Sequence, residues 1–191
     1  MDSIISNLLS ESASLKAKVA QDAGFVSGIA RSAALLYETI TKGGTILACG
    51  NGGSTCDAMH LVEELVARYK RDRAGVRAMH FADPSTLTCW SNDVGFEDAY
   101  RRYAEVFCGD KDVLIAISTS GNSKNIIAAA KEAKKRGCKV VGLAGKDGGA
   151  LRELCDVTLV VPSNMTERIQ EVHITIVHIW LELLETQYAL Q

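Results

Sequence analysis

Thr45-Ile-Leu-Ala-Cys-Gly50-Asn-Gly-Gly-Ser54 runs from an apolar segment straight into a glycine turn, and Thr55-Cys-Asp-Ala-Met-His60-Leu-Val-Glu63-Glu64 follows it. Residues 45–49 read as a buried strand. The strand ends at Gly50, where the chain must turn sharply. Gly52 and Gly53 tolerate positive φ and carry no Cβ, so the backbone there can approach a ligand closely. Ser54 suits the N-cap of the helix that follows. Strand, glycine turn and helix N-terminus together form an anion site, because N–H groups without intrahelical partners lie at the positive end of the helix dipole. Two nucleotide signatures are excluded. Gly50-Asn51-Gly52-Gly53 lacks a third glycine at the dinucleotide offset, and no Gly-Lys-Ser/Thr follows. A tight strand-to-helix turn without a ligand is the alternative for this loop taken alone.

The same layout recurs downstream. Asp112-Val-Leu-Ile-Ala-Ile117 is a strongly apolar strand that leads into Ser118-Thr-Ser-Gly-Asn-Ser123. Lys124 to Arg136 then reads as an amphipathic helix closed by Gly137. The hydroxyls of this loop, its glycine and its backbone N–H groups suit a phosphoryl group. A hydroxyl-rich N-cap turn is the alternative. Two such loops at the carboxyl ends of parallel strands lie where open α/β sheets bind ligands.

Working outward, Val76 to Ala82, Lys139 to Leu143 and Val157 to Val161 read as further strands, the last stopped by Pro162. Ile4 to Gln21 and Phe25 to Thr41 have helical apolar spacing, and Gly43-Gly44 ends the second. The first glycine loop opens a helix over 54–69, followed by Lys70-Arg71-Asp72-Arg73, which reads as a solvated turn. Pro84 opens a short helix near Ser85–Cys89, and Asn92-Asp-Val-Gly95 reads as a turn. Helices follow at Glu97–Phe107 and Ala150–Cys155. A long, largely apolar helix runs from Thr166 to about Tyr188. Strands that alternate with helices and are almost continuously apolar predict an α/β fold: five parallel strands with helices on both faces.

At 191 residues the chain is expected to form one domain over 1–191, with helices 1–42 packed on it or on a partner subunit. Its 47% hydrophobic and 23% charged residues fit a globular protein, and a net charge of −2 gives no general attraction to nucleic acid or anionic membrane. No apolar run is long enough to span a bilayer, and no secretory signal opens the chain. The six cysteines contain no C-x-x-C pair, so they read as reduced and the protein as cytoplasmic.

His60 and Glu64 lie four residues apart, on one helix face, where they can share a divalent metal or act as an acid/base pair; a surface or cap interaction is the alternative. Glu63 points elsewhere. The last helix carries Gln170, Glu171, His173 and His178 among apolar residues. An imidazole in such a helix needs a partner: either a backbone carbonyl, as a core histidine, or a metal or substrate.

Gly50-Asn-Gly-Gly-Ser54, His60 with Glu64, Asn92-Asp93, Ser118-Thr-Ser-Gly-Asn-Ser123 and Arg168-Ile-Gln-Glu-Val-His173 with His178 resemble the phosphoheptose isomerases, within the wider sugar isomerase (SIS) fold. The resemblance spans residues 43–180 in matching order and spacing. It implies a flavodoxin-like SIS fold and conversion of sedoheptulose 7-phosphate into D-glycero-D-manno-heptose 7-phosphate, the entry to ADP-heptose and lipopolysaccharide core. It also implies a homotetramer with sites between subunits, and one zinc per subunit. Substrate contacts carry over to Asn51, Gly52, Gly53, Glu64, Asn92, Asp93, Ser118, Thr119, Ser120, Ser123 and Gln170. Metal ligands carry over to His60, Glu64, Gln170 and His178, and the acid/base pair to Glu64 and His178. Trp90, just before Asn92, is a bulky neighbour whose fit the sequence does not decide.

The chemistry agrees with that assignment. Aldose–ketose isomerisation through an enediol moves a proton between C1 and C2, which one carboxylate can take and return while an imidazole serves the oxygens. A carboxylate tightly held by zinc is a poorer base, so the catalytic role of Glu64 stands ahead of its metal role. Two non-enzymatic alternatives share the fold. A non-catalytic relative that binds a replication initiator would not need Glu64 and His178, both present here. A sugar-phosphate sensor would normally carry a DNA-binding module, for which 191 residues without a helix-turn-helix and basic face leave little room. Gln170 and His178 are two turns apart on one helix, about 12 Å along its axis. That spacing, with the apolar character of the helix, predicts an obligate oligomer whose composite site takes Gln170 and His178 from different chains, and Glu64 and His178 likewise.

Overall fold

A computed structural model of the chain describes residues 1–187, so the expected helix end at Tyr188 lies outside it. Five strands, β1 (Ile46–Cys49), β2 (Ala78–His80), β3 (Val113–Ser118), β4 (Lys139–Gly145) and β5 (Val157–Val161), form one parallel sheet in the order β2-β1-β3-β4-β5. Their near-continuous apolar character follows from burial on both faces. Ile46 and Ala48 face a core shared with helices α2 (Ala23–Thr41), α3 (Gly53–Val66) and α7 (Thr166–Thr186). Leu47 and Cys49 face the other core, with α5 (Phe96–Phe107) and α6 (Lys124–Lys135).

β1 and β3 are hydrogen-bonded neighbours, with Cys49 level with Ala116, yet the helices that follow them cover opposite faces. Strand order reverses between them, so a crevice opens at their carboxyl ends. Both polar loops empty into it.

Three local expectations differ from the structure. β2 has three residues rather than seven. The helix at Pro84 continues to Asp93 as α4 (Pro84–Asp93), so Asn92 and Asp93 form its last turn. Asp83 caps it by accepting the Thr86 N–H at 2.8 Å, Pro84 presets its first turn, and Gly95 at φ +136 marks the exit. Third, the charge run 70–73 is a solvated turn only in part: Lys70, Arg71 and Asp72 are exposed, but the Arg73 side chain is buried. The Glu185 carboxylate accepts the Lys70 and Arg71 N–H groups, at 3.2 and 3.1 Å, and the Arg73 Nε–H at 3.0 Å. The Arg73 and Glu185 side chains are only 1% and 3% exposed, a buried pair. The Arg73 guanidinium also donates to the carbonyls of Glu64 (2.8 Å) and Leu65 (3.0 Å), which lack intrahelical partners at the end of α3.

Helix α1 (Asp2–Gln21) buries only Val19 and leaves Ile4, Ile5, Leu8 and Leu9 exposed. Among the described residues no helix is long and apolar enough to cross a membrane. All six cysteines are free of disulfides.

Candidate active site

After β1 the chain turns through Gly50, Asn51 and Gly52. Gly52 has φ +56, a conformation glycine adopts at little cost, and itself occupies the N-cap of α3. Ser54, expected at that cap, lies buried in the first turn instead. The positive φ completes the turn two residues early, and no side chain caps α3. The turn is pinned from behind: the Tyr100 and Thr55 hydroxyls both donate to the Gly50 carbonyl, at 2.7 and 2.6 Å.

The second loop leaves β3 at Ser118, whose hydroxyl donates to that of Ser123 at 3.0 Å. Ser123 stands at the N-cap of α6 but makes no cap bond; the Ile126 N–H goes to Asn125 Oδ1 at 3.0 Å, and only the first two N–H groups of this helix stay open. Ser120 Oγ accepts the Asn122 N–H at 3.1 Å, and Thr119 and Ser120 are half-buried. Gly121 takes φ +66 and packs so closely on the Gly148 carbonyl that a Cβ would overlap it. The two loops are joined directly. Asn51 and Asn125 exchange side-chain amide bonds, Nδ2 to Oδ1, of 2.8 and 2.9 Å, across 74 residues of sequence.

Asn92 and Asp93 are exposed at the end of α4, where the Asn92 amide donates to Asp93 Oδ1 at 2.9 Å. Among the described residues, neither bonds to either loop. Trp90 is held against α5: its indole N–H donates to Asp98 at 2.9 Å and Arg102 lies 4.9 Å from its ring.

α3 and α7 lie side by side in the same direction. At their start, a Cβ on Gly53 would stand 2.6 Å from the Gln170 amide nitrogen, and that amide reaches Ser54 Oγ at 3.4 Å. Two turns on, His60 Nε2 lies 3.0 Å from His178 Nε2, the rings edge-on. Glu64 Oε1 approaches the same His60 nitrogen at 3.5 Å. Tyr69 stacks on His178 with centroids 6.2 Å apart. Glu63 is exposed. One chain therefore brings Glu64, His60 and His178 together by itself. The expectation that Glu64 and His178 come from different chains is corrected, because the parallel register of α3 and α7 makes the meeting within one subunit. Gln170 remains at the helix start, eight residues and about 12 Å before His178. The four residues carried over as metal ligands thus do not converge within one chain, in keeping with the expectation that Gln170 and His178 of one site come from different chains.

His173 takes the core alternative. It is fully buried, its Nε2–H donates to the Ala144 carbonyl at 3.1 Å, and burial lowers its pKa to about 4, so it stays neutral. His178 is the half-exposed imidazole at the site.

Among the described residues no group of three or more His, Cys, Asp or Glu side chains is arranged to hold a metal ion. The donor types at the α3–α7 seam nonetheless suit zinc. With Zn–N bonds of about 2.0–2.1 Å in a tetrahedron, two nitrogens stand about 3.3 Å apart. The 3.0 Å between His60 and His178 is close to that, with Glu64 beside them.

Sequence reasoning missed four contributors. Asn125 and Tyr100 hold the loops, Arg73 holds the end of α3, and Asp57 lies buried within it. The i+4 and i+7 offsets from Gly53 put Asp57 in line with His60, a signal readable in advance.

Residues 11–145 match the sequence profile of the SIS domain. The chain is 44% identical over 187 residues to the phosphoheptose isomerase of Escherichia fergusonii, covering 97% of each. Its fold superposes on a phosphoheptose isomerase from Neisseria gonorrhoeae with a TM-score of 0.91, at 34% identity, covering 97% of this chain and 98% of that one. A phosphoheptose isomerase from Francisella tularensis gives 0.89 at 32% identity, covering 95% and 96%. Its two loops, its α3–α7 seam and these likenesses agree that the chain belongs to the SIS-domain family, among the phosphoheptose isomerases.

Proposed function

We propose that the protein interconverts sedoheptulose 7-phosphate and D-glycero-D-manno-heptose 7-phosphate through an enediol, supplying the aldose from which ADP-heptose is made. The observation that carries the reading is the meeting of Glu64, His60 and His178 on a seam that begins at the first glycine loop. Phosphate lies across the open N-termini of α3 and α6, held by Ser118, Thr119, Ser120 and Ser123 and by the backbone at Asn51, Gly52 and Gly53. Gln170, together with Asn92 and Asp93, contacts the sugar. Glu64 removes the proton from the carbon beside the carbonyl and returns it to the neighbour. His178 moves the proton between the two oxygens, with Tyr69 stacked on its ring and His60 against its Nε2.

The phosphate assignment has its own test. Ser120→Ala removes one hydroxyl from the loop and leaves Glu64 untouched. The Michaelis constant for sedoheptulose 7-phosphate rises about 10-fold or more, as expected for a bond to a charged group of roughly 1.5–3 kcal/mol, and turnover changes little. Inorganic phosphate competes less well against the variant. Equal affinities for both ligands in variant and wild type count against the cradle.

Zinc would be held by His60, His178 and Glu64 of one chain, as an alternative to the free acid/base form of Glu64 and His178, and Gln170 of the same chain would lie too far along α7 to join them. Bound there, it supplies Lewis-acid polarisation of the sugar oxygens. Metal analysis of the purified protein, with activity before and after chelation, is the check: one zinc per chain and lost activity are expected, and full activity in metal-free protein contradicts it.

The assembly is a tetramer in the cytoplasm. Two separate apolar patches support the tetramer, Ile4, Ile5, Leu8 and Leu9 on α1 and Met59, Val66, Val106 and Phe107 around the β2 edge. Dihedral symmetry uses two different self-complementary faces. Light scattering at the mass of one chain would contradict it.

A further inference from the structure

We propose that Asp57 is a further substrate-contacting residue, its enclosed carboxylate oxygen accepting a hydrogen bond from a hydroxyl of the bound sugar phosphate. The proposal rests on the isomerase reading and deepens it.

Asp57 is 8% exposed, and its Oδ2 is buried with no hydrogen-bond partner. Buried carboxylates in folded proteins are nearly always paired, so an orphan of this kind calls for an explanation. The reason for its isolation is visible in the register. Gly53, Asp57, His60 and Glu64 follow one another at helical spacing along α3. The facing stripe of α7 runs from Gln170 through Ile174 to His178, four residues at a time. Gln170 lies against Gly53 and His178 meets His60. Between those two contacts the residue of that stripe is the apolar Ile174, which packs against the core and has no side-chain donor.

The position is what matters for the substrate. A sugar phosphate with its phosphate at the start of α3 and its carbonyl end at His60 and Glu64 spans about 10 Å of helix between Gly53 and His60. Its middle carbons carry hydroxyls and pass Asp57. Those hydroxyls are the donors that the protein itself does not provide. Burial also raises the Asp57 pKa to about 6, against the opposing pull of His60. The free protein thus tolerates an unfavourable group that the ligand completes.

Two substitutions in the full-length protein test this, Asp57→Asn and Asp57→Ala, with kinetics on sedoheptulose 7-phosphate and thermal midpoints with and without inorganic phosphate. The deciding comparison uses whichever variant keeps at least the wild-type midpoint. That variant is expected to lose about 10-fold or more in kcat/KM, while its midpoint gain from inorganic phosphate equals that of the wild type. A kcat/KM within twofold of wild type overturns the proposal. So does a lowered midpoint in both variants, because Asp57 then serves the fold. Wild-type protein that fails to isomerise sedoheptulose 7-phosphate overturns the isomerase reading itself, and this inference with it.

Discussion

Glu64→Gln loses at least about 100-fold in turnover while its thermal midpoint stays near that of the wild type. The amide keeps the shape of the carboxylate but cannot accept a proton. The surroundings tolerate the change, because the carboxylate is partly exposed and approaches His60 only to 3.5 Å. No buried charge is left unpaired by the exchange. The comparison is made on purified wild-type and variant protein with sedoheptulose 7-phosphate at saturating concentration. Turnover within a few-fold of wild type removes Glu64 from the role of base, whatever the fate of the metal. Binding of inorganic phosphate to the variant, unchanged from wild type, shows that the loops are intact.

Arg73→Ala has the largest expected effect on stability. Its guanidinium joins two parts of the molecule: the Glu185 carboxylate on α7, and the Glu64 and Leu65 carbonyls at the end of α3. Removing it leaves Glu185 buried at 3% exposure with no guanidinium against it and takes the side-chain donor from the Glu64 carbonyl, while the Leu65 carbonyl keeps the Val76 N–H at 2.9 Å. Breaking one side of such a pair destabilises by about 3–5 kcal/mol. Arg73→Lys recovers only part of this, since one ammonium lacks the planar fork that reaches carboxylate and carbonyls together. Urea unfolding of the three proteins reads the difference. A loss below about 1 kcal/mol for Arg73→Ala means the pair is no stronger than a surface bridge. Because Arg73 also fixes the Glu64 backbone, reduced turnover is expected in any folded fraction.

The contrast between these two residues shows what a sequence makes legible. The sheet was readable because each strand is buried on both faces, so its side chains are apolar without alternation. The loops were readable because glycine and hydroxyl residues fall just where apolar runs stop. His60 and Glu64 were readable because four residues make one helical turn. Arg73 was not, since a charge run at a helix end looks like a solvated turn until its partner, 112 positions later, is brought back by α7. Asn125 was hidden for the same reason: inside an amphipathic helix an amide looks like surface, and its partner Asn51 lies 74 positions earlier. The Ser54 cap failed because Gly52, at positive φ, started the helix first. Asn92 and Asp93 read as a turn because Gly95 is a visible breaker, whereas the helix that Asp83 caps runs on to Asp93. The composite site was inferred from distance along one helix. That distance says nothing of α3, which runs parallel to α7 and brings His60 to His178.

The central claim is enediol isomerisation of a phosphorylated seven-carbon ketose. The most direct test incubates the wild-type protein with sedoheptulose 7-phosphate in deuterium oxide and follows the products by NMR. The account predicts an aldoheptose 7-phosphate carrying deuterium at C2, because the proton on Glu64 exchanges with solvent before its return. Folded protein that yields no aldose, or aldose formed under Glu64→Gln at the wild-type rate, would contradict it.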